Sequence, residues 1–343
     1  MGIRIRSLLG ALAVSAAVLI TGCGGDTPKP QSSAPVKVTA GMLRLTSSAP
    51  LFIGVEKGFF KEEGLDVTPE WFDAAQPIVV ATASNKIDVG GTGITAALYN
   101  MVAQGQKLVI VADKGREDKS VLSSGLVVTT DNYDAGVRSV ADLKGKKVGI
   151  TQTGSTFEYE VGRLLELQGL SKADVELVPL GKISSIMAAL ESKQIDAAIL
   201  VQPNVSRAEN AGFAKMILSV GDAMDYQTSG IFYSPEFAAK KNLGVKFMKA
   251  YIKSVRYYSE AVLGKDKGAN YDEVLDIIAK YTNTPKETVA QGLPYLDPNG
   301  ALLVNDIQTQ IDWYTKEGLI VKPLKASDVV DTSFQETAAK EVK

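Results

Sequence analysis

The chain has 343 residues, with 37 Lys and Arg against 39 Asp and Glu, a formal net charge of −2, no histidine and one cysteine. The near-balance of charge, with no basic block, gives a nucleic-acid partner no electrostatic support. Absence of histidine removes Ser-His-Asp and Cys-His catalysis and the commonest zinc ligand, and a lone thiol rules out an internal disulfide framework. Carboxylates and lysines remain for acid-base chemistry, but no motif supports it. No enzymatic activity, cofactor or metal is expected.

Taken in chain order, Arg4 and Arg6 supply the positive end of an export signal whose apolar run, 8–20, is too short to span a bilayer. Residues 1–22 therefore read as a cleaved signal peptide. Ile20-Thr21-Gly22-Cys23 resembles the lipobox of bacterial lipoproteins, which implies lipidation of Cys23 and a membrane anchor at the periplasm or cell surface. Residues 23–38, rich in Gly, Pro and Ser at their start, read as a flexible tether.

A short strand at 43–45 leads into the loop Thr46-Ser47-Ser48-Ala49-Pro50. A helix ends at Gly64, a left-handed C-cap, before a strand at 65–67. The turn Phe72-Asp73-Ala74-Ala75-Gln76-Pro77 opens a helix reaching Ser84. Then come a strand at 87–89, a helix opening at Gly91-Thr92-Gly93, and a buried-type strand at 108–112. A crossing strand is expected at 126–128, followed by a strand at 148–150, the loop 151–156, helices at 157–168 and 184–192, and a strand at 197–200. The return crossing is expected at 231–233. Helices at 245–263, 271–280, 286–291 and 305–317 are expected to fold back on the first lobe.

Ile87-Asp88-Val89-Gly90 returns as Ile195-Asp196-Ala197-Ala198, each copy closing a strand-helix-strand pattern. Two similar α/β lobes with mixed sheets are implied, with ligands bound where loops leave the strand ends. Lobe 1 is expected over 39–125 and 232–343 and lobe 2 over 126–231, with a two-strand hinge near Val127 and Phe232.

Gly91-Thr92-Gly93-Ile94-Thr95-Ala96 matches the Gly-x-Gly-x-x-Ala form of a dinucleotide fingerprint, with Asp113 at the end of the next strand. Against an NAD-dependent enzyme, the strand before it is short and carries Asp88, and 197–202 in the second copy has no glycine pair. The motif reads instead as a helix start whose Thr92 and Gly93 N–H groups face a ligand. In Thr153-Gly154-Ser155-Thr156 one hydroxyl is expected to cap the helix and the other to bind, and Ser47, Ser48 and Ala49 occupy the matching place in the first lobe. Gln76 and Gln202 are cleft candidates or solvent-exposed. Phe72, Tyr226 and Tyr233 are aromatic walls or core, and Arg116 either meets a carboxylate or sulfonate or lies in a solvated loop.

Glu56-Lys57-Gly58-Phe59-Phe60-Lys61-Glu62-Glu63-Gly64-Leu65-Asp66-Val67, Ile87-Asp88-Val89-Gly90, Val140-Ala141-Asp142-Leu143-Lys144-Gly145-Lys146-Lys147-Val148-Gly149 and Gln194-Ile195-Asp196-Ala197 resemble the solute-binding proteins of ABC importers. The branch is the one that includes nitrate, sulfonate, taurine, thiamine-precursor and aromatic-acid binders. The resemblance spans nearly all of the chain after Cys23. It implies a two-lobed type II periplasmic-binding fold, working as a monomer, that closes on a small organic anion of the sulfonate or aromatic carboxylate type and delivers it to a membrane permease. A pyrimidine, thiamine-precursor or nitrate-type ligand, or a receptor serving a sensor, are the alternatives. The strand-one loop, the 72–76 turn, the Gly91 to Gly93 segment and the 153–156 loop are the ligand positions so implied. Enzymes of the thiamine-precursor branch use a histidine and a cysteine-rich motif, and this chain has neither.

Overall fold

The computed structural model describes residues 34–342. The signal peptide, Cys23 and all but the last residues of the expected tether lie outside the described residues. The strands in chain order are β1 (Val36–Leu43), β2 (Leu65–Phe72), β3 (Val89–Gly93), β4 (Val109–Glu117), β5 (Ser124–Thr129), β6 (Lys147–Ile150), β7 (Glu176–Pro179), β8 (Ala197–Val201), β9 (Ala214–Ser219) and β10 (Tyr226–Tyr233). They form two five-stranded sheets, ordered β2-β1-β3-β10-β4 and β7-β6-β8-β5-β9. Each sheet is mixed: β10 runs antiparallel to β3 and β4, and β5 runs antiparallel to β8 and β9.

The tether ends earlier than expected. β1 pairs with β2 from Val36 onward, because the Val-x-Val-x-Ala alternation suits a half-buried strand better than a linker. The lobe boundaries shift as well. β10 lies wholly in the first sheet from Tyr226, and β5 joins the second from Ser124, so the chain crosses between lobes at 118–123 and 220–225. Val127 and Phe232 sit inside sheets rather than at a hinge. Only Ile231-Phe232-Tyr233 of β10 is apolar enough to read as strand; its first half, Tyr226-Gln227-Thr228-Ser229-Gly230, is mostly small and polar yet fully buried.

The internal repeat has a structural counterpart. Asp88 accepts from the Thr39 N–H at 2.9 Å and Asp196 from the Lys147 N–H at 2.8 Å, both across a sequence separation of 49. A Cβ built at Gly41 would come 2.5 Å from Ile87, and one at Gly149 would come 2.5 Å from Ile195. The same aspartate, isoleucine and missing side chain thus close the same strand-helix-strand unit twice.

The first sheet is covered on its outer face by helices Ala49–Glu56, Lys241–Val262 and Tyr271–Thr282, whose apolar residues share one core with β1 and β2. The helix Val304–Lys316 was expected on the first lobe, but it also grips the second. Trp313 lies against Gly162 of the helix Thr156–Leu167, where an added Cβ would come 2.4 Å from the indole. The Trp313 Nε1–H donates to Glu166 at 3.2 Å and the Tyr314 hydroxyl to the Ser155 carbonyl at 3.1 Å. A ring of this size buries on the order of 150–250 Å², so packing dominates this contact, and the Lys172–Glu317 ion pair at 3.0 Å, about one-fifth exposed on each side, supplements it. Among the described residues no helix is long and apolar enough to cross a membrane.

Candidate functional site

The C-terminal ends of the parallel strands face each other across the lobes, the place where open α/β sheets bind ligands. They enclose a cavity of about 50 Å³. The first lobe contributes Leu43, Leu45 and Ser47 from β1 and its loop, Ala74 and Ala75, Gly93 from β3, Lys114 from β4, and Thr228 and Ser229 from β10. The second contributes Thr151, Ser155, Thr156, Phe157, Ile183 and Val201. Three backbone hydrogen bonds join the lobes around it: Thr46 N–H to the Gln202 carbonyl at 3.2 Å, Ala96 N–H to the Gly154 carbonyl at 2.9 Å, and Ile183 N–H to the Asp73 carbonyl at 3.3 Å. The cleft is therefore shut in this structure.

Lys114 dominates the electrostatics. Its side chain is buried, 1% exposed, and its Nζ donates to Ser47 Oγ at 3.0 Å. The adjacent Asp113 carboxylate is spent elsewhere, accepting from the Gly115 N–H at 2.8 Å, the Gln227 side-chain amide at 2.5 Å and the Asp297 N–H at 2.8 Å. Burial pulls the Lys114 amine down to about 7, with the negative charge of Asp113 opposing the shift. Burial likewise raises the Asp113 carboxyl to about 6 against its three hydrogen bonds. A lysine so desolvated is costly unless an anion joins it.

The glycine pair of Gly91-Thr92-Gly93 is strand, not helix start. Its residues pair antiparallel with Ile231, Gly230 and Ser229 of β10, and the next helix begins only at Ala96. Their N–H groups do not form the expected helix terminus because the sheet continues through them. Each glycine instead makes room. A Cβ at Gly91 would lie 3.3 Å from Lys114 Cδ and Cε, and one at Gly93 would lie 2.8 Å from Thr156 Cγ2 of the opposite lobe. The first leaves room for Leu51 and for the lysine stem to lie across the face of the sheet, and the second lets the lobes meet. Thr92, between them, is fully buried and does not border the cavity.

At the second-lobe loop, Ser155 caps its helix by accepting the Glu158 N–H at 3.2 Å. The first turn of a helix leaves N–H groups without intrahelical partners, and here Thr156 and Phe157 bring that turn to the cavity wall. The positive end of a twelve-residue helix thus faces Lys114.

Of the residues singled out from the sequence, Ser47, Gly93, Ser155 and Thr156 border the cavity. Ser48 is structural, its hydroxyl bonded to the Leu43 carbonyl at 2.8 Å, and Ala49 is buried in its helix. Phe72 and Gln76 line an outer groove, and Thr153 and Gly154 line a second one with Gln76. Gln202 is buried with its side-chain oxygen taken by the Ser206 hydroxyl at 3.1 Å, so it faces its own helix rather than ligand. Tyr226 is buried against Glu160, and the Tyr233 hydroxyl donates to the Gly244 carbonyl at 2.7 Å; neither is a cavity wall. Arg116 stacks over Tyr295 with its guanidinium 4.3 Å from the ring centre, so it is free of both expected roles. Among the lining residues that sequence reasoning missed are Lys114, Thr228, Ser229, Phe157, Ile183 and Val201. A lysine two residues after the apolar run 108–112 was the available signal.

The chain is 24% identical over 340 residues to the "Putative aliphatic sulfonates-binding protein" of Bacillus subtilis (strain 168), covering 96% of each. Its fold is similar to that of the alkanesulfonate-binding protein SsuA from Xanthomonas axonopodis pv. citri bound to MOPS, with a TM-score of 0.70 at 19% identity over 87% of this chain and 99% of that one. It is also similar to the periplasmic nitrate-binding protein NrtA from Synechocystis PCC 6803, with a TM-score of 0.76 at 15% identity over 90% and 89% of the two chains. A family profile described as NMT1/THI5 like matches residues 45–261, and the chain belongs to that family.

Proposed function

We propose that the protein is the extracytoplasmic solute-binding component of an ABC importer, which holds a small organic anion of the sulfonate or carboxylate type between its lobes and hands it on unchanged. The observation that carries this is Lys114, a buried lysine on the wall of an enclosed cavity whose other polar groups are hydroxyls and a helix N-terminus. The names of the similar proteins, which speak of sulfonates and nitrate, support an anion. The remaining walls, Leu43, Leu45, Phe157, Ile183 and Val201, are apolar and suit a carbon substituent better than a fully hydrated ion. A cavity of about 50 Å³ has room for a headgroup of roughly four water-sized groups, so a longer tail needs space beyond it, for which the apolar outer groove at Phe72, Pro77 and Val80 is the candidate.

A thermal-shift panel of taurine, longer alkanesulfonates, benzoate, nitrate and a pyrimidine tests the assignment. At a hundredfold excess over Kd, one site adds about 2.7 kcal/mol, which raises the melting midpoint by several degrees. The expected result is a shift with one organic anion class; a shift with the pyrimidine alone would overturn the anion assignment.

The lobe division, with crossings at 118–123 and 220–225, supplies the hinge for closure, and the protein acts as a monomer. Cys23 carries the lipid anchor that keeps the protein near its permease, at the periplasmic or cell surface. Changing Cys23→Ala is expected to move the protein from the membrane to the soluble fraction, and a variant that still sediments with membranes contradicts the anchor.

A further inference from the structure

Behind the cavity wall lies a second polar cluster that anion binding does not use. Glu117 ends β4 at one crossing between the lobes, and Tyr226, its register partner, begins β10 at the other. Glu160 reaches them from the helix Thr156–Leu167 of the second lobe and accepts a hydrogen bond from the Tyr226 hydroxyl. Both glutamates are fully buried. Glu117 Oε1 accepts from Ser124 Oγ at 2.5 Å and from Thr228 Oγ1 at 3.4 Å, while Oε2 of each glutamate has no partner.

The groups that face this pair carry no positive charge. β10 presents Tyr226 and Thr228, the start of β5 and the residue before it present Ser124 and Ser123, the helix Val304–Lys316 presents Tyr314, and the glutamate's own helix presents Tyr159. Two carboxylates without a cation cannot both be ionised in so dry a place. We propose that Glu117 and Glu160 share a proton across the crossing between the lobes, so that closing the cleft takes up a proton and opening it releases one.

Burial pushes the Glu117 carboxyl up to about 7. Burial and then the negative charge of Glu117 push Glu160 up, with the Tyr226 hydrogen bond opposing. In the open form water reaches both groups and their affinity for protons returns toward that of an ordinary glutamate. The closed form therefore binds more protons. Its advantage is full below the ordinary glutamate range and is lost as pH rises through the closed-form value near 7. This holds whatever the ligand is, and it sets how readily the cleft opens in acidic and alkaline surroundings.

The test is small-angle scattering of the ligand-free protein at pH 5 and pH 8.5, on the wild type, Glu160→Gln, Glu117→Gln and the double variant that carries both. Glutamine keeps the shape and the hydrogen bond to Tyr226 but cannot titrate. The wild type is expected to be more compact at pH 5 than at pH 8.5; because burial alone still raises the glutamate that remains, each single variant keeps part of that difference and the double variant loses it. Because Asp113 and Lys114 also titrate in this window, the change between variant and wild type is the readout. Infrared difference spectra at pH 7 give a second measure that does not depend on lobe movement: a protonated-carboxyl band present in the wild type, changed in either single variant and missing from the double variant. A wild-type radius of gyration equal at both pH values, or a double variant that keeps the wild-type profile and band, would overturn the proposal.

Discussion

Replacing Lys114 with methionine is expected to weaken organic-anion binding at least about a hundredfold while making the empty protein more stable. The binding loss follows from charge. A charge-assisted hydrogen bond contributes roughly 1.5–3 kcal/mol, and leaving an anion in a dry cavity without its cation costs about 3–5 kcal/mol, against 1.4 kcal/mol for each factor of ten. The stability gain follows from the same burial. The Lys114 amine titrates near 7 in the folded protein, below its ordinary value of 10.5. Its desolvation penalty is therefore fully present below about 7 and is relieved as pH rises toward the unfolded value. The methionine variant should accordingly gain more in melting midpoint at pH 6 than at pH 9, and isothermal titration should show the anion signal gone. A variant that binds as tightly as the wild type, or that melts lower at pH 6, would remove Lys114 from the site. Opposite signs for binding and stability are what a side chain kept for function produces.

Gly93→Val is expected to hold the cleft open. Valine suits a strand, and Gly93 has no left-handed backbone to lose, so the first lobe should fold as before. The first added carbon, however, would lie 2.8 Å from Thr156 Cγ2 across the cleft, and since Thr156 is β-branched, buried and stiff at χ1, the contact is expected to push the second lobe away. Overpacking of this kind costs about 1–3 kcal/mol, sometimes more. A ligand that binds only the closed form loses affinity in proportion, roughly ten- to a hundredfold here. Scattering at saturating anion should find the wild type compact and the variant extended. A variant as compact as the wild type would mean that the lobes do not meet at this glycine.

Much of the architecture was legible because the sequence states it twice. The Ile-Asp pair at 87 and 195 leads into the third strand of each repeat, β3 and β8, and each aspartate ties back to that repeat's first strand, β1 or β6, by the same hydrogen bond. Apolar periodicity was sufficient for the helices Thr156–Leu167 and Ile183–Glu191. It was insufficient where a buried strand is polar. Asp113 to Glu117 continue β4, and Tyr226 to Gly230 begin β10, yet both stretches read as loop because charge and hydroxyl normally mean solvent. Those two segments hold Lys114, Thr228 and Ser229, so the same blindness hid the centre of the site. Gly91 and Gly93 were conspicuous, but local spacing does not reveal that their missing side chains serve Lys114 and Thr156, which lie far away in the chain.

The central claim is that an organic anion sits on Lys114 between closed lobes. The most direct test is a crystal structure of the protein with whichever anion gives the largest thermal shift. An anion oxygen within hydrogen-bonding distance of Lys114 Nζ, with Ser47 and the Thr156 helix start around it, is the predicted result. The anion bound at either outer groove, with Lys114 Nζ still on Ser47 alone, would contradict it.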